Sequence, residues 1–167
     1  MLENRVKRNS DLQKQLMTIK KATAEDIDKL VFLFEQYRAF YNKPANTEAS
    51  KAFLVNRIIN RESEIYIGEL EDKTLAGFVQ LYPYFSSINL RRLWLLNDLF
   101  VHPKHRGKGI SVQLIKRAQQ LATETNAYAL MLETGKDNDI GNKLYPKTGF
   151  KLYDDVNFYE WRNPTVS

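Results

Sequence analysis

The sequence predicts an α/β layered domain, and three observations lead there. Apolar residues recur at helical spacing in two stretches that precede most of the strand-like segments. A hairpin follows, from Glu64 to Leu70 and back from Leu75 to Tyr82, turning at Glu71-Asp72-Lys73-Thr74. A long strand ending in the apolar run Leu99-Phe100-Val101 then feeds a glycine-punctuated turn and an amphipathic helix.

In order, residues 1–15 are rich in Lys, Arg, Asn and Gln and read as a basic N-terminal extension, leaving 16–167 as a single domain. Met17 to Lys20 can start the sheet. Thr23, ahead of Glu25 and Asp26, is a helix-start signal. Leu30, Val31, Phe34, Tyr37 and Phe40 then keep one helical face until Asn42-Lys43-Pro44. A second helix begins at Thr47 and carries Phe53, Leu54, Ile58 and Ile59. Gly77, inside the second hairpin strand, marks a bulge or a close backbone approach. Pro83 to Asn89 reads as a loop and Arg91 to Val101 as the central strand. Past the turn, Leu114, Ile115, Ala118, Leu121 and Ala122 share a helix face. Tyr128 to Leu132 is a short strand, Asp137 to Tyr145 a short helix that Pro146 should end or kink, and Phe158 to Trp161 a last strand.

The composition is that of a globular protein, with 43% hydrophobic and 27% charged residues. No cysteine is present, which removes disulfides, thiolate metal sites and a cysteine nucleophile. No apolar run has the length of a membrane span, and charges interrupt Met1 to Lys20 where a signal peptide would need an apolar core. A cytoplasmic protein without membrane contact is expected. The net charge of +5 suits an anionic ligand, and nothing in the aromatic spacing supports a nucleic-acid module. His102 and His105 stand three apart but no carboxylate cluster joins them, so no metal is expected.

The turn carries the first chemistry. Arg106-Gly107-Lys108-Gly109 places two residues without a Cβ, and two cations, at the start of a helix whose first N–H groups lack partners. An anion can approach that backbone closely, so the segment reads as a phosphate cradle. The spacing is neither that of a P-loop nor that of a dinucleotide fingerprint. With Val101-His102-Pro103 before it, Arg106, Gly109 and Ser111 form Arg-x-x-Gly-x-Ser. This resembles the acetyl-CoA motif of the GCN5-related N-acetyltransferases, Gln/Arg-x-x-Gly-x-Gly/Ala, with the small Ser111 in the last place. A second stretch, Asn138 to Phe150, resembles that family's other signature: Asn138, then Tyr145 seven residues on, then Gly149-Phe150.

The resemblance implies a central mixed, mostly antiparallel sheet flanked by helices, with the fourth and fifth strands splayed. It implies acetyl-CoA as cofactor, its pyrophosphate on the backbone of Arg106, Gly107, Lys108, Gly109, Ile110 and Ser111. It implies that the pantetheine arm pairs with the strand edge at Leu99, Phe100 and Val101, and that Asn138 contacts the arm or caps its helix. Tyr145 becomes the general acid for the departing thiolate, although a phenol near ~10 is poorly matched to a thiol near ~8.5 without help from the site. Asn97-Asp98 resembles the central strand of the polyamine and diamine branch, where a Glu-Asp pair is usual. Asn97 stands where that Glu would be, so Asp98 is the candidate base, directly or through an ordered water. Strand alternation sets Asn97 and Asp98 on opposite faces.

The activity expected is acetyl transfer from acetyl-CoA to a primary amine of a small molecule by direct attack on the thioester. Tyr82 to Phe85 and Tyr37 to Tyr41 are candidates to line the acceptor pocket. The alternatives are a protein or histone-type lysine acetyltransferase and a non-catalytic acyl-CoA-binding relative. The aromatic final segment predicts a homodimer closed over its edge.

Overall fold

A computed structural model describes residues 17–166, so the extension expected over 1–15 lies outside the described residues. The chain forms two compact units that meet in sequence at Glu133 and Thr134.

The first unit holds a five-stranded sheet in the order β1-β2-β3-β4-β5: β1 Met17–Lys21, β2 Glu64–Leu70, β3 Leu75–Ser86, β4 Arg91–Val101 and β5 Ala129–Leu132. The first three pairings are antiparallel, and β4 pairs β5 in parallel. Helices α1 Ile27–Phe40 and α2 Thr47–Ile59 precede β2, and α3 Ile110–Glu124 links β4 to β5. This is the mixed, mostly antiparallel sheet that the resemblance implied.

Neighbouring residues of β3 separate the two faces. Phe78 packs its ring against Phe34 and Tyr37 of α1. A Cβ placed on Gly77 would lie 3.3 Å from Leu114 of α3. Side chains alternate along a strand, so α1 and α3 cover opposite faces. The α1 side is filled by Leu30, Val31, Phe34, Leu54, Ile65, Ile67, Phe78 and Phe100. Leu114, Ile115, Ala118 and Leu121 of α3, all buried, line the other.

Helix starts are chemically marked. The Asp26 carboxylate accepts the Thr23 N–H at 3.0 Å ahead of α1. Asn46, the residue before Thr47, caps α2 by accepting the Ala49 N–H at 3.1 Å. Among the described residues no helix is long and apolar enough to cross a membrane.

The structure corrects three expectations. The loop expected from Pro83 is strand as far as Ser86, paired with β4 down to Arg91. β2 begins opposite Leu81, so beyond it that edge of β3 has no partner among the described residues and tolerates a proline. In the second unit, α4 Asp139–Lys147 runs through Pro146 instead of ending at Tyr145. The proline lies in the last turn, where it forfeits a single bond, and Thr148 N–H recovers the Leu144 and Tyr145 carbonyls. Finally, Phe158 to Trp161 is not a strand. A strand needs a neighbour, and the described residues of the second unit contain no other strand.

Candidate active site

β4 is the spine of the site. Three residues before its end it carries Asp98, and beyond its end it becomes the cradle. The pairing with β3 slips between Gln80 and Leu81, so that Asp98 faces Gln80, Leu96 faces Leu81, and Asn97 is an extra residue. That β-bulge bends and twists the strand. The pairing of β4 with β5 stops at the same place, Leu96 opposite Leu132. Asn97 to Val101 therefore run on without β5 beside them, which is the splay implied by the resemblance.

The open edge can be read from one hydrogen bond. His102 N–H donates to Ala76 C=O at 2.9 Å, so by alternation Phe100 also turns its backbone polar groups to β3. Leu99 and Val101 turn theirs the other way, to the vacated side. Val101 C=O accepts Arg106 Nε–H at 3.0 Å. The side chain of Phe100 belongs to the core, beside Tyr37 and Phe78.

After β4 the chain makes one short turn of helix, Pro103–His105, and reaches Gly107 and Gly109, both at φ 75°. That left-handed conformation favours glycine. A Cβ at either position would meet nothing within 4 Å, so the surface in front of them is open. Gly109 is the N-cap of α3, and no side chain caps this helix start. Lys108 is exposed, Ser111 half-buried, and Ile110 buried as the anchor of the turn. Arg106 does not point its guanidinium at the helix start: it bonds back to Val101 and lies over the Phe100 ring at 5.7 Å. His102 Nδ1 accepts the Lys104 N–H at 3.2 Å, and burial together with the nearby cationic side chains lowers its proton affinity. Among the described residues no group of three His, Cys, Asp or Glu side chains could hold a metal ion.

Asp98 is buried, 6% exposed. Its Oδ1 accepts the Tyr37 hydroxyl at 2.6 Å and the Asn97 Nδ2 at 3.0 Å. Simple alternation had separated Asn97 from Asp98, but the bulge lets the two amino acids bond. Burial pushes the Asp98 carboxyl above the usual range, and the two donors pull against it. Opposite, the wholly buried Gln80 donates to Ser63 Oγ at 2.9 Å while its Oε1 has no hydrogen-bond partner among the described residues. Tyr82, next on the same face of β3, has its phenol pushed up to about 12, first by burial and then by the Asp98 charge. Sequence reasoning missed the Tyr37–Asp98 bond, since 61 residues separate the partners and no local signal joins them.

In the second unit Asn138 caps α4. Its Oδ1 accepts the Gly141 N–H at 3.0 Å and its Nδ2 donates to Thr134 Oγ1 at 2.8 Å. Gly141 leaves room for this, because a Cβ there would sit 2.6 Å from Asn138 Nδ2 and 3.1 Å from the Tyr145 ring. Tyr145 is half-buried, with its ring edge-to-face against Phe150 at 5.9 Å.

The sequence pattern of the acetyltransferase (GNAT) family matches residues 30–150. The chain belongs to that family. This acetyltransferase is 38% identical over 145 residues to an uncharacterized N-acetyltransferase, YhfO, of Bacillus subtilis, covering 87% of this chain and 95% of the relative. It is 26% identical over 149 residues to a spermidine N(1)-acetyltransferase of Thermoplasma acidophilum, covering 81% and 89%. Among solved structures, a probable acetyltransferase superposes with a TM-score of 0.84 at 37% identity, over 87% of this chain and 97% of the other. The GNAT chain is an N-acetyltransferase and uses acetyl-CoA. Its cradle fits such a group: two glycines with open Cβ positions lead into a long helix whose first N–H groups no side chain takes among the described residues.

Proposed function

We propose that this acetyltransferase acts on a primary amine of a small molecule that arrives as an ammonium ion. The observation that supports it is Asp98, a buried carboxylate with both recorded hydrogen bonds on Oδ1 and no cation paired to it among the described residues. Phenols of Tyr37 and Tyr82 stand nearby on the same side of the sheet, and such surroundings favour an amine over an acid. The spermidine acetyltransferase among the relatives is in keeping with this reading.

Acetyl-CoA, when bound, supplies the acetyl group as a thioester. In this reading the backbone from Arg106 to Ser111 holds its pyrophosphate and the free edge at Leu99 and Val101 pairs with its amide-bearing arm, while Phe100 supports that edge from the core. Asp98 accepts the ammonium proton at Oδ2, directly or through a water, which leaves a nucleophilic amine. Tyr145 holds a proton at its phenol oxygen for the departing sulfur, and Asn138 orders the start of α4. The family pattern crosses from one compact unit into the other, which supports a single acetyltransferase domain from residue 16. A homodimer completes the proposal, because Leu152, Tyr153, Phe158, Tyr159 and Trp161 are all exposed on a segment without a strand partner. A cytoplasmic location goes with the use of acetyl-CoA.

Release of free thiol from acetyl-CoA, measured across polyamines, amino acids, aminoglycosides and histone peptides, tests the acceptor class. Turnover of small amines is expected. Turnover confined to the peptides would overturn the reading.

A further inference from the structure

We propose that Tyr37 is a positioning residue for acetyl transfer: its phenol, on α1, fixes the Asp98 carboxyl of β4 in one orientation and leaves Oδ2 to the acceptor amine. The inference rests on the reading of Asp98 as the group that takes the ammonium proton.

The geometry carries it. Tyr37 donates to Oδ1 at 2.6 Å, the shorter of the two hydrogen bonds that Asp98 accepts. The donor itself has four aromatic neighbours. Ring centroids of Tyr41, Phe78, Phe34 and Phe100 lie 5.1, 5.7, 5.9 and 6.0 Å from that of Tyr37. Tyr37 is half-buried, and its packing on the buried rings of Phe34, Phe78 and Phe100 restrains it. Asn97, by contrast, is an exposed bulge residue, and its amide bonds Asp98 at the longer distance of 3.0 Å. Tyr37 is therefore the rigid one of the two donors.

The surrounding charges leave it that task. α1 presents Tyr37 and Tyr41, and β3 presents Tyr82 and the neutral Gln80. From α2 and the residues after it, Arg57 and Glu62 act on Tyr82, but they bond one another at 2.6 Å. No cation bonds Asp98 among the described residues, so a carboxylate buried there depends on its donors to remain charged. Burial, and then the Asp98 charge, raise the Tyr37 phenol far above its ordinary value, so it stays a donor at every working pH.

The test is Tyr37→Phe, which keeps the ring and removes the donor. The rate of acetyl transfer is followed against pH, and the Asp98 carboxyl is titrated in parallel by carbon NMR, with its signal assigned through Asp98→Asn. The expected result is an acidic limb of kcat/KM displaced upward by about one pH unit, the same displacement in the NMR titration, a lower kcat and an unchanged KM for acetyl-CoA. If neither the limb nor the titration moves, Tyr37 only packs and the inference is overturned, while Asp98→Asn still judges Asp98 by itself. If the titration moves and the limb does not, Asp98 is not the base, and the catalytic role of both residues falls. Should Tyr37→Phe fail to fold, Asn97→Ala removes the other donor to the same oxygen. A displacement well below one pH unit supports Tyr37 as the principal donor, and a full unit or more would assign the carboxyl to Asn97 and overturn the inference.

Discussion

Gly77 and Phe100 lie so close across β3 and β4 that a Cβ on the glycine would sit 2.7 Å from the Phe100 carbonyl oxygen. The obstacle is backbone, which cannot rotate aside, and Leu114 closes the space from the α3 side at 3.3 Å. Gly77→Ala should therefore destabilise the fold by roughly 1–3 kcal/mol through overpacking. Urea denaturation measures it, and a loss near zero would show that the strands can part at no cost.

The cradle gives a second prediction. Gly109→Asp places a negative charge at a helix start and strains a left-handed backbone position. Calorimetry should show acetyl-CoA binding weakened at least tenfold. Gly109→Ala, with the strain but not the charge, should lose less. Equal losses would assign the effect to backbone conformation alone.

Tyr145→Phe removes one hydroxyl and keeps the ring on Phe150. With the phenol as proton donor to sulfur, kcat falls by roughly 10²-fold and acetyl-CoA affinity changes little. Turnover at the wild-type rate would make Tyr145 a packing residue.

Lys20 reaches two carboxylates, Asp26 at 2.9 Å and Glu69 at 3.0 Å, and Lys73 reaches Glu69 at 3.1 Å. The bond to Lys20, then that to Lys73, hold Glu69 below the usual carboxylate range. For Asp26 burial pushes upward, but Lys20 and Thr23 together outweigh it. Carboxyls with a lowered folded value contribute stability above their unfolded value, near ~4, and that contribution disappears as the pH falls through the lowered folded value. Lys20→Met should lower the thermal midpoint at pH 7 and differ progressively less from wild type as the solution is acidified below pH ~4. A difference independent of pH would trace the effect to packing of the lysine stem.

For assembly, light scattering at micromolar concentration separates a homodimer from a chain of 19.5 kDa. The dimer is expected, and Trp161→Asp should shift it toward monomer. A single-chain mass across the concentration range would exclude a stable dimer.

The parts of the fold that repeat a local period were open to sequence reading. β2 and β4 fall on the residues expected, and α3 buries the face that its spacing marked. What escaped depends on neighbours distant along the chain. Phe158 to Trp161 has the composition of a strand, but composition does not say whether an edge stands beside it. Pro83 looks like a strand stop until β2 is seen to begin opposite Leu81. Asp98 was singled out as a candidate from its motif, whereas its partner on α1 and the bulge before it belong to the tertiary arrangement. The cradle was legible because its glycines, cations and helix start are contiguous.

The extra residue at Asn97 has an effect that no side chain there could reproduce. Upstream of it Leu93 and Leu95 share the face of Tyr84 and Tyr82; downstream the even-numbered Asp98 and Phe100 share the face of Gln80 and Phe78. The parity of the strand changes at this point, and here also β5 is left behind. One inserted residue thus sets the side on which the carboxylate stands, at the point where the gap along Leu99 and Val101 begins. Chain length at position 97, rather than the identity of the amino acid, is therefore the variable that would turn the carboxylate to the other face of the strand.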